Sequence, residues 1–222
     1  MAIRHRSRDV AILNEIFGGT GGCDSYSPPP DVAAWLDRAG TPRIMDLGAN
    51  IGLFGLYVFS RWPAAQLTAY EPDPGNAALL GRTVTTNRLE GHWQVERAAC
   101  SNRRGTIPFA AGLLSEARIA EPGETGTIDV PMIDLFAEDH DVDLLKMDIE
   151  GAEWPILTDP RLPELRARAV VLEWHTRGCP DPDPHAAAVR LLRTAGYACA
   201  LDVGDLLAHG TDGVLWAWRP RP

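Results

Sequence analysis

Four carboxylates carry the first chemical signal in this chain, because each stands at or near the end of a short apolar run. They are Asp46, Glu71, Asp148 and Glu173. Ligands of open α/β sheets bind outside the carboxyl ends of the parallel strands. We therefore predict that these four side chains lie along one edge of a sheet and form a single polar site.

A glycine-bearing turn, Gly48-Ala49-Asn50-Ile51-Gly52, follows the first of these runs. Glycines allow a tight turn and a close approach of a ligand to the backbone. Glu71 comes about 20 residues later, where an acidic residue can bind ribose hydroxyls. The dinucleotide fingerprint Gly-x-Gly-x-x-Gly needs glycine where this chain has Asn50 and Leu53, and its second glycine admits a pyrophosphate. The turn therefore favours S-adenosylmethionine, which has no phosphate, over NAD; a plain turn without a ligand is the alternative.

The elements that must position these groups alternate between strands and helices. Apolar runs predict strands at 44–47, 66–70, 92–99, 142–147, 169–174, 198–202 and 213–218, and helical spacing predicts helices at 9–17, 52–61, 74–86 and 185–195. Asp31 is predicted to cap a further short helix. Such alternation indicates βαβ units. The predicted fold is a Rossmann-like, doubly wound α/β fold. Its seven-stranded sheet is mostly parallel with an antiparallel C-terminal strand, and helices cover both faces.

Two regions outside this alternation carry weaker patterns. Residues 1–40 form a predicted N-terminal helical or lid segment, with a Gly/Pro-rich loop that contains Gly21 and Gly22, ahead of the main domain at 41–222. Gly18 and Gly19 are expected to end the first helix. Residues 110–127, rich in Gly, Ala, Ser and Glu, are expected to form a mobile loop.

Charge and composition exclude several classes of partner. The 222-residue chain has a formal net charge of -9, whereas nucleic-acid enzymes present basic patches. Its one short basic stretch, residues 4–8, is expected to be a solvated terminus. We see neither a signal peptide nor an apolar run of about 20 residues that could span a membrane. The four cysteines form no Cys-x-x-Cys pair and are expected to be free thiols in the cytoplasm.

Three motifs resemble those of the FkbM family of class I methyltransferases, which use S-adenosylmethionine. They are Asp46-Leu47-Gly48-Ala49-Asn50-Ile51-Gly52, Tyr70-Glu71-Pro72-Asp73 and Leu145-Lys146-Met147-Asp148-Ile149-Glu150-Gly151-Ala152-Glu153. The third is the most specific, because Lys-x-Asp-x-Glu-Gly-Ala-Glu is close to that family's signature. The resemblance spans roughly residues 43–175.

This resemblance implies a methyl transfer from S-adenosylmethionine to a hydroxyl group of a natural product or sugar. It implies that Asp46, Gly48 and Asn50 surround the methionine part of the cofactor and that Glu71 binds the ribose. The backbone near Ala98 and Ala99 would contact the adenine. The cofactor-binding residues predicted in this way are Asp46, Gly48, Asn50, Gly52, Glu71, Ala99 and Asp148.

Methyl transfer to a hydroxyl needs a group that takes the hydroxyl proton. Glu173 and His175 are two residues apart, so in an extended segment they share a side. We predict His175 as the general base, with Asp148 or Glu173 orienting it. In the alternative, these residues hold a divalent cation that lowers the pKa of the acceptor. The metal-free interpretation is preferred, since Mg²⁺ favours oxygen ligands.

The acceptor pocket is the least defined part of the sequence. Tyr26, Trp154 and Trp174 are predicted to line it, together with Glu150, although Glu150 and Glu153 can also be simple helix N-terminal carboxylates. Lys146 is expected to pair with Asp148 or another nearby carboxylate. His140, His185 and His209 are expected at the surface. A homodimer is possible, because a partner subunit could complete the pocket.

Two other functions stay open at this point. A nicotinamide-dependent oxidoreductase would share the strand, turn and acidic residue, although Asn50 and Leu53 count against it. A protein that binds S-adenosylmethionine without methyl transfer is the other, because cofactor binding and chemistry depend on separable residues.

Overall fold

The computed structural model describes residues 3–4, 7–17, 25–139, 141–202 and 212–219. Its central feature is a seven-stranded sheet whose strands are β1 (Arg43–Leu47), β2 (Gln66–Tyr70), β3 (Trp93–Glu96), β7 (Leu144–Met147), β8 (Ala169–His175), β9 (Cys199–Asp202) and β10 (Asp212–Trp218). The strand order is β3-β2-β1-β7-β8-β10-β9. The pairs from β3 to β8 are parallel, and β10 is antiparallel to both β8 and β9. The predicted mostly parallel sheet with an antiparallel C-terminal strand is confirmed.

Helices cover both faces of this sheet. They are α1 (Asp9–Phe17), α2 (Pro30–Ala39), α3 (Leu53–Arg61), α4 (Pro74–Thr86), α5 (Glu153–Leu157) and α6 (Pro184–Thr194). Alternate residues of each strand enter two separate cores, because successive side chains of a strand point to opposite faces. Ile44 packs with α1 to α4 in one core, whereas Met45 packs with α5 and α6 in the other. The near-continuous apolar runs of the strands follow from this double burial.

The helix α4 shows how local signals set the bounds of an element. Asp73 caps it, because its carboxylate accepts hydrogen bonds from the backbone N–H groups of Gly75 and Asn76. Pro74 occupies the first helical position, where its missing N–H has no cost. The predicted bounds 74–86 are confirmed. By contrast, Asp31 is not the cap of α2, which begins one residue earlier at Pro30 with no side-chain cap.

A second sheet of three antiparallel strands was not predicted. It contains β4 (Ala99–Ala110), β5 (Arg118–Ile119) and β6 (Ile128–Asp134) in the order β5-β4-β6. The predicted third strand, 92–99, is therefore too long, because the chain leaves the first sheet after Glu96 and enters the second at Ala99. The expectation of a mobile loop at 110–127 is also wrong in part, since β5 pairs with β4 at Phe109 and Ala110.

Several expectations fall on residues outside the described ranges. They concern Gly18 and Gly19 as the end of the first helix, the loop with Gly21 and Gly22, the thiol of Cys23, and the histidines His140 and His209. Within the described part of the chain, Cys100 and Cys179 are free thiols. None of the helices described here is long and apolar enough to cross a membrane.

Candidate active site

The turn after β1 is shaped by contacts within the protein. Gly48 has a φ of 78°, and a Cβ atom built on it would lie 1.8 Å from the carbonyl oxygen of Asp148. Gly52 has a φ of 89°, and its Cβ would lie 2.5 Å from Leu80. Both glycines are therefore needed for close packing of the turn against β7 and α4. The sequence predicts that a ligand approaches the backbone closely at this turn. At these two glycines, the groups that approach closely belong to other segments of the same chain.

Glu71 is a buried carboxylate bound on both sides by backbone. Its Oε2 accepts a hydrogen bond of 2.7 Å from the N–H of Asn50, and its Oε1 accepts one of 2.8 Å from the N–H of Asp73. Burial raises the pKa of Glu71 to about 7, and these hydrogen bonds only partly offset that effect. Each carboxylate oxygen has a second acceptor position, and the Asn76 side chain also acts on this carboxylate, so Glu71 can still accept a further hydrogen bond from a hydroxyl group.

Beside Glu71 lies a space that we call the inner cavity. It is lined by Gly48, Asn50, Glu71, Pro72, Asn76, Ala98, Ala99, Cys100, Phe109, Leu114, Ser115, Ala117, Ile119, Asp148, Ile149, Glu150 and Ala152. None of these described lining residues is a lysine or an arginine, and three are carboxylates. This lining, with its apolar walls and a buried carboxylate, suits an adenosine group. It does not suit a pyrophosphate, which would face like charges.

Lys146 links the first strand to the acidic turn after β7. Its Nζ donates a 2.7 Å hydrogen bond to the carbonyl oxygen of Gly48 and lies 3.1 Å from Asp46 and 3.3 Å from Asp148. Burial alone lowers the pKa of Lys146, but the charges of Asp46 and Asp148 outweigh it and raise the pKa. Lys146 is therefore an ammonium ion that holds the two strand ends together.

His175, at the end of β8, is held by the first turn of α5. Oε1 of Glu153 accepts hydrogen bonds from the backbone N–H of His175 at 2.8 Å and from Nδ1 of its ring at 3.1 Å. The N–H of Gly151 donates to the other oxygen of Glu153, and the indole N–H of Trp154 donates to the His175 carbonyl oxygen. With Nδ1 engaged in this way, Nε2 is the ring nitrogen left for other chemistry; it lies 3.6 Å from Glu150.

The charges around His175 favour its protonated form. Burial by itself lowers the pKa of His175, but the hydrogen bond and charge of Glu153, followed by the charges of Asp148 and Glu173, raise it to about 10. The free protein therefore carries an imidazolium here at neutral pH. A cationic ligand in the same place would lower this pKa again, because like charges disfavour the protonated form.

His175 faces a second, larger space that we call the outer cleft. Its lining includes Arg8, Asp9, Ile12, Ile16, Tyr26, Gly48, Asn50, Phe54, Leu113, Arg118, Lys146, Asp148, Glu150, Glu173, His175, Arg177 and Asp212. Tyr26 donates a 2.8 Å hydrogen bond to Glu173 across 147 residues of sequence. The cleft and the inner cavity share Gly48, Asn50, Ser115, Asp148 and Glu150, so the two spaces adjoin at these residues.

The structure corrects four of the predicted site residues. Trp154 and Trp174 line neither space, because both side chains pack in the core with α6. Asp46 is fully buried and acts on the site through Lys146, and Gly52 is covered by Leu80 and Trp93. The remaining predicted residues, Tyr26, Gly48, Asn50, Glu71, Ala99, Asp148, Glu150, Glu173 and His175, line one space or both.

The structure adds a partner for His175 that the sequence reasoning did not name. Glu153 accepts the hydrogen bond from Nδ1 of the ring, in place of the predicted Asp148 or Glu173. Asp148, Glu173 and His175 each place one ligand atom within 4.8 Å of the others, close enough for one cation.

The sequence did not indicate Asp73 and Asn76 as site residues. Asp73 accepts from the N–H of Gly112, and Asn76 donates to the carbonyl of Leu114, so both hold the loop over the inner cavity.

This sheet order, with carboxylates at the ends of β1, β2, β7 and β8, defines the Rossmann-like class I methyltransferase fold. The Methyltransferase FkbM domain matches residues 46–199, more than half of the chain. The chain therefore belongs to the FkbM family of methyltransferases.

Curated relatives and solved structures agree with this assignment. The chain is 28% identical to methyltransferase sdnD of Sordaria araneosa over 62% of this chain and 68% of that protein. It is also 28% identical to the 31-O-demethyl-FK506 methyltransferase FkbM of Streptomyces tacrolimicus, over 76% of this chain and 77% of that one. The fold matches methyltransferase FkbM from Methylobacillus flagellatus with a TM-score of 0.58 at 15% identity, over 81% of this chain and 44% of that structure.

Proposed function

We propose that this protein is an S-adenosylmethionine-dependent O-methyltransferase that methylates a hydroxyl group of a small molecule of secondary metabolism. The observation that carries the proposal is the junction of the two spaces. A cavity with a buried ribose-type carboxylate, Glu71, adjoins a cleft that contains a histidine held by a carboxylate. The names of the relatives support the acceptor class, since FkbM of Streptomyces tacrolimicus is named for an oxygen of FK506.

In this proposal the inner cavity holds the cofactor. Glu71 binds the ribose hydroxyls, Ala99 and its neighbour Ala98 contact the adenine, and Asn50 contacts the methionine part. Gly48 and Asp148 bound the space between cavity and cleft, while Asp46 and Gly52 support the turn from behind. When bound, the cofactor supplies a methyl group activated by its sulfonium.

The outer cleft positions the acceptor and removes its proton. With the positively charged cofactor bound, the pKa of His175 is lowered again, and the neutral ring accepts the hydroxyl proton at Nε2, while Glu153 holds Nδ1 and stabilises the charge that forms. Tyr26 and Glu150 are placed to contact the acceptor, and Tyr26 also fixes Glu173. We propose that the N-terminal segment, within residues 1–40, covers this side of the main domain, because Tyr26, Ile12 and Ile16 line the cleft.

Titration calorimetry with S-adenosylmethionine and with NAD tests the cofactor assignment. We expect binding of S-adenosylmethionine and no binding of NAD; the opposite result would establish a nicotinamide-dependent enzyme instead. Incubation of the protein and deuteromethyl-labelled cofactor with candidate metabolites, followed by mass spectrometry, then identifies the acceptor. Label on carbon or nitrogen of the product would refute O-methylation. Binding of the cofactor without any labelled product would favour a non-methylating use of it.

The proposed reaction needs no metal ion, and chelation tests this point. We expect methyl transfer to continue in EDTA, since His175 takes the proton. Activity that is lost in EDTA and restored by Mg²⁺ or Mn²⁺ would instead assign Asp148, Glu173 and His175 as ligands of a cation that acidifies the acceptor.

A further inference from the structure

One residue of the basic stretch near the start of the chain, Arg4, is not solvated. Arg4 is mostly buried, with 15% of its side chain exposed, and it contacts three separate segments. It forms a two-pronged ion pair with Asp9, which is 1% exposed, and its backbone N–H also donates to that carboxylate. The expectation of a solvated terminus is therefore wrong for Arg4.

The other two contacts of Arg4 are with amides that line the inner cavity. Its Nη2 donates a 3.0 Å hydrogen bond to Oδ1 of Asn50, in the turn after β1, and its Nη1 donates to Oδ1 of Asn76, in the first turn of α4. A guanidinium can do this because its donors form a rigid planar fork. Since Asp9 balances the charge, Arg4 acts here mainly by aligning its neighbours.

The alignment of Asn50 has a chemical consequence. Its Oδ1 accepts hydrogen bonds from Arg4 and from the N–H of Ile51. Its Nδ2 group, which has no acceptor among the described residues, is then the part of the amide that can bind a ligand. Asn50 also has a φ of 51°, an unfavourable conformation for a residue with a side chain. A fixed N–H donor suits a ligand oxygen such as that of a carboxylate.

The alignment of Asn76 connects Arg4 to the loop over the cavity. With its Oδ1 bound to Arg4, Asn76 uses Nδ2 to donate a 3.0 Å hydrogen bond to the carbonyl of Leu114. Leu114 and Ser115 are lining residues of the inner cavity. Arg4 therefore joins the segment before α1, the turn after β1 and the loop after β4 around one space.

We infer that Arg4 is a positioning residue of the cofactor site, which presents the Asn50 amide to the amino-acid part of S-adenosylmethionine and fastens the covering segments around it. This inference rests on the proposed function, because it takes the inner cavity as the cofactor site. It concerns a residue outside the three motifs of the family.

Binding of S-adenosylhomocysteine, measured by titration calorimetry, tests the inference without turnover. We expect Arg4→Ala to weaken binding at least tenfold, and Arg4→Lys to weaken it similarly, because an ammonium group cannot span both amides. Arg82→Ala, which removes an exposed arginine from α4, is the matched control and should bind as the wild type does. The Arg4→Ala substitution should reduce the affinity for adenosine, which lacks the amino-acid part, less than the affinity for S-adenosylhomocysteine.

Each other outcome has a clear meaning. If Arg4→Ala binds S-adenosylhomocysteine with wild-type affinity, the inference is overturned while the proposed function stands. An equal loss of affinity for adenosine also overturns the inference, because it would indicate a general loosening of the site. If the wild-type protein itself fails to bind S-adenosylhomocysteine, the proposed function fails as well. Should Arg4→Ala not fold, hydrogen exchange of the wild type decides the matter. Peptides containing Arg4 and Leu114 should gain protection together on binding, and an unchanged Arg4 peptide would overturn the inference.

Discussion

The inner cavity and the outer cleft share Asn50, Asp148 and Glu150, yet their charged groups are held in different ways. In the cavity, Glu71 is fixed by backbone N–H groups, those of Asp73 and of Asn50 in the turn after β1. In the cleft, His175 and Glu173 are fixed by side chains, those of Glu153 and Tyr26. The cavity carboxylate is therefore held by the backbone of two turns, whereas the cleft groups depend on individual side-chain contacts.

This difference suggests that the two spaces have separate functions. A site held by backbone keeps its shape when one side chain changes, which suits a cofactor that stays the same throughout a family. A site held by long-range side-chain pairs can change its acceptor through a few substitutions. The comparison predicts that variants in the cleft affect the rate of transfer, whereas variants in the cavity affect cofactor binding.

The largest expected effect in the cleft is that of His175→Ala. Removal of a general base typically lowers the rate about 10²- to 10⁴-fold, so we expect kcat to fall by that order while the affinity for S-adenosylhomocysteine stays unchanged. Kinetics with the identified acceptor and calorimetry measure the two quantities. His92→Ala, at the far end of β3, is the control. Unaltered methyl transfer in His175→Ala would exclude the proposed base.

Glu153→Gln should give the next largest effect, because Glu153 acts on the reaction through His175. We expect kcat to fall about 10- to 100-fold, since loss of a hydrogen bond to a charged group is worth about 1.5–3 kcal/mol. The double variant with His175→Ala should be no slower than His175→Ala alone. A further loss in the double variant would mean that Glu153 has a separate role. Thermal unfolding of each variant monitors the stability cost of changing a buried carboxylate.

Sequence alone predicted the cavity better than the cleft, for a physical reason. The turn after β1 and the start of α4 at Pro74 are local features, so their residue types suffice to identify them. The partner of His175 depends on the placement of the short helix α5 against β8, and Glu153 lies 22 residues away from it. Glu153 was visible in the sequence only as one of several acidic candidates.

Of two errors in the sequence-based prediction, the first had a usable signal and the second had none. Trp174 lies between Glu173 and His175 in a strand, so alternation alone places it on the opposite face, in the core. The second sheet was harder to predict. The middle of β4, with Arg103, Arg104 and Gly105, is exposed, and its pairing with β6 shifts register between Ala99 and Gly105. No clean apolar alternation was present there to mark a strand.

In the cavity, Glu71→Gln should weaken binding of S-adenosylhomocysteine by about tenfold, because one charge-assisted hydrogen bond to the ribose is lost. The value of kcat at saturating cofactor should change much less, which separates this variant from those in the cleft. Glu90→Gln removes an exposed carboxylate beyond the opposite end of α4 and serves as the control. An unchanged affinity in Glu71→Gln would show that Glu71 does not bind the ribose.

The smallest effect is a change in stability with pH, which again distinguishes the cleft from the cavity. The pKa of His175 is about 10 in the folded protein, above its unfolded value of about 6.5. The imidazolium therefore contributes stability fully below about pH 6.5, and this contribution is lost as the pH rises through about 10. We expect the difference in Tm between wild type and His175→Ala to narrow over this range, as followed by calorimetry. A difference that stays constant would mean that His175 is neutral in the folded protein.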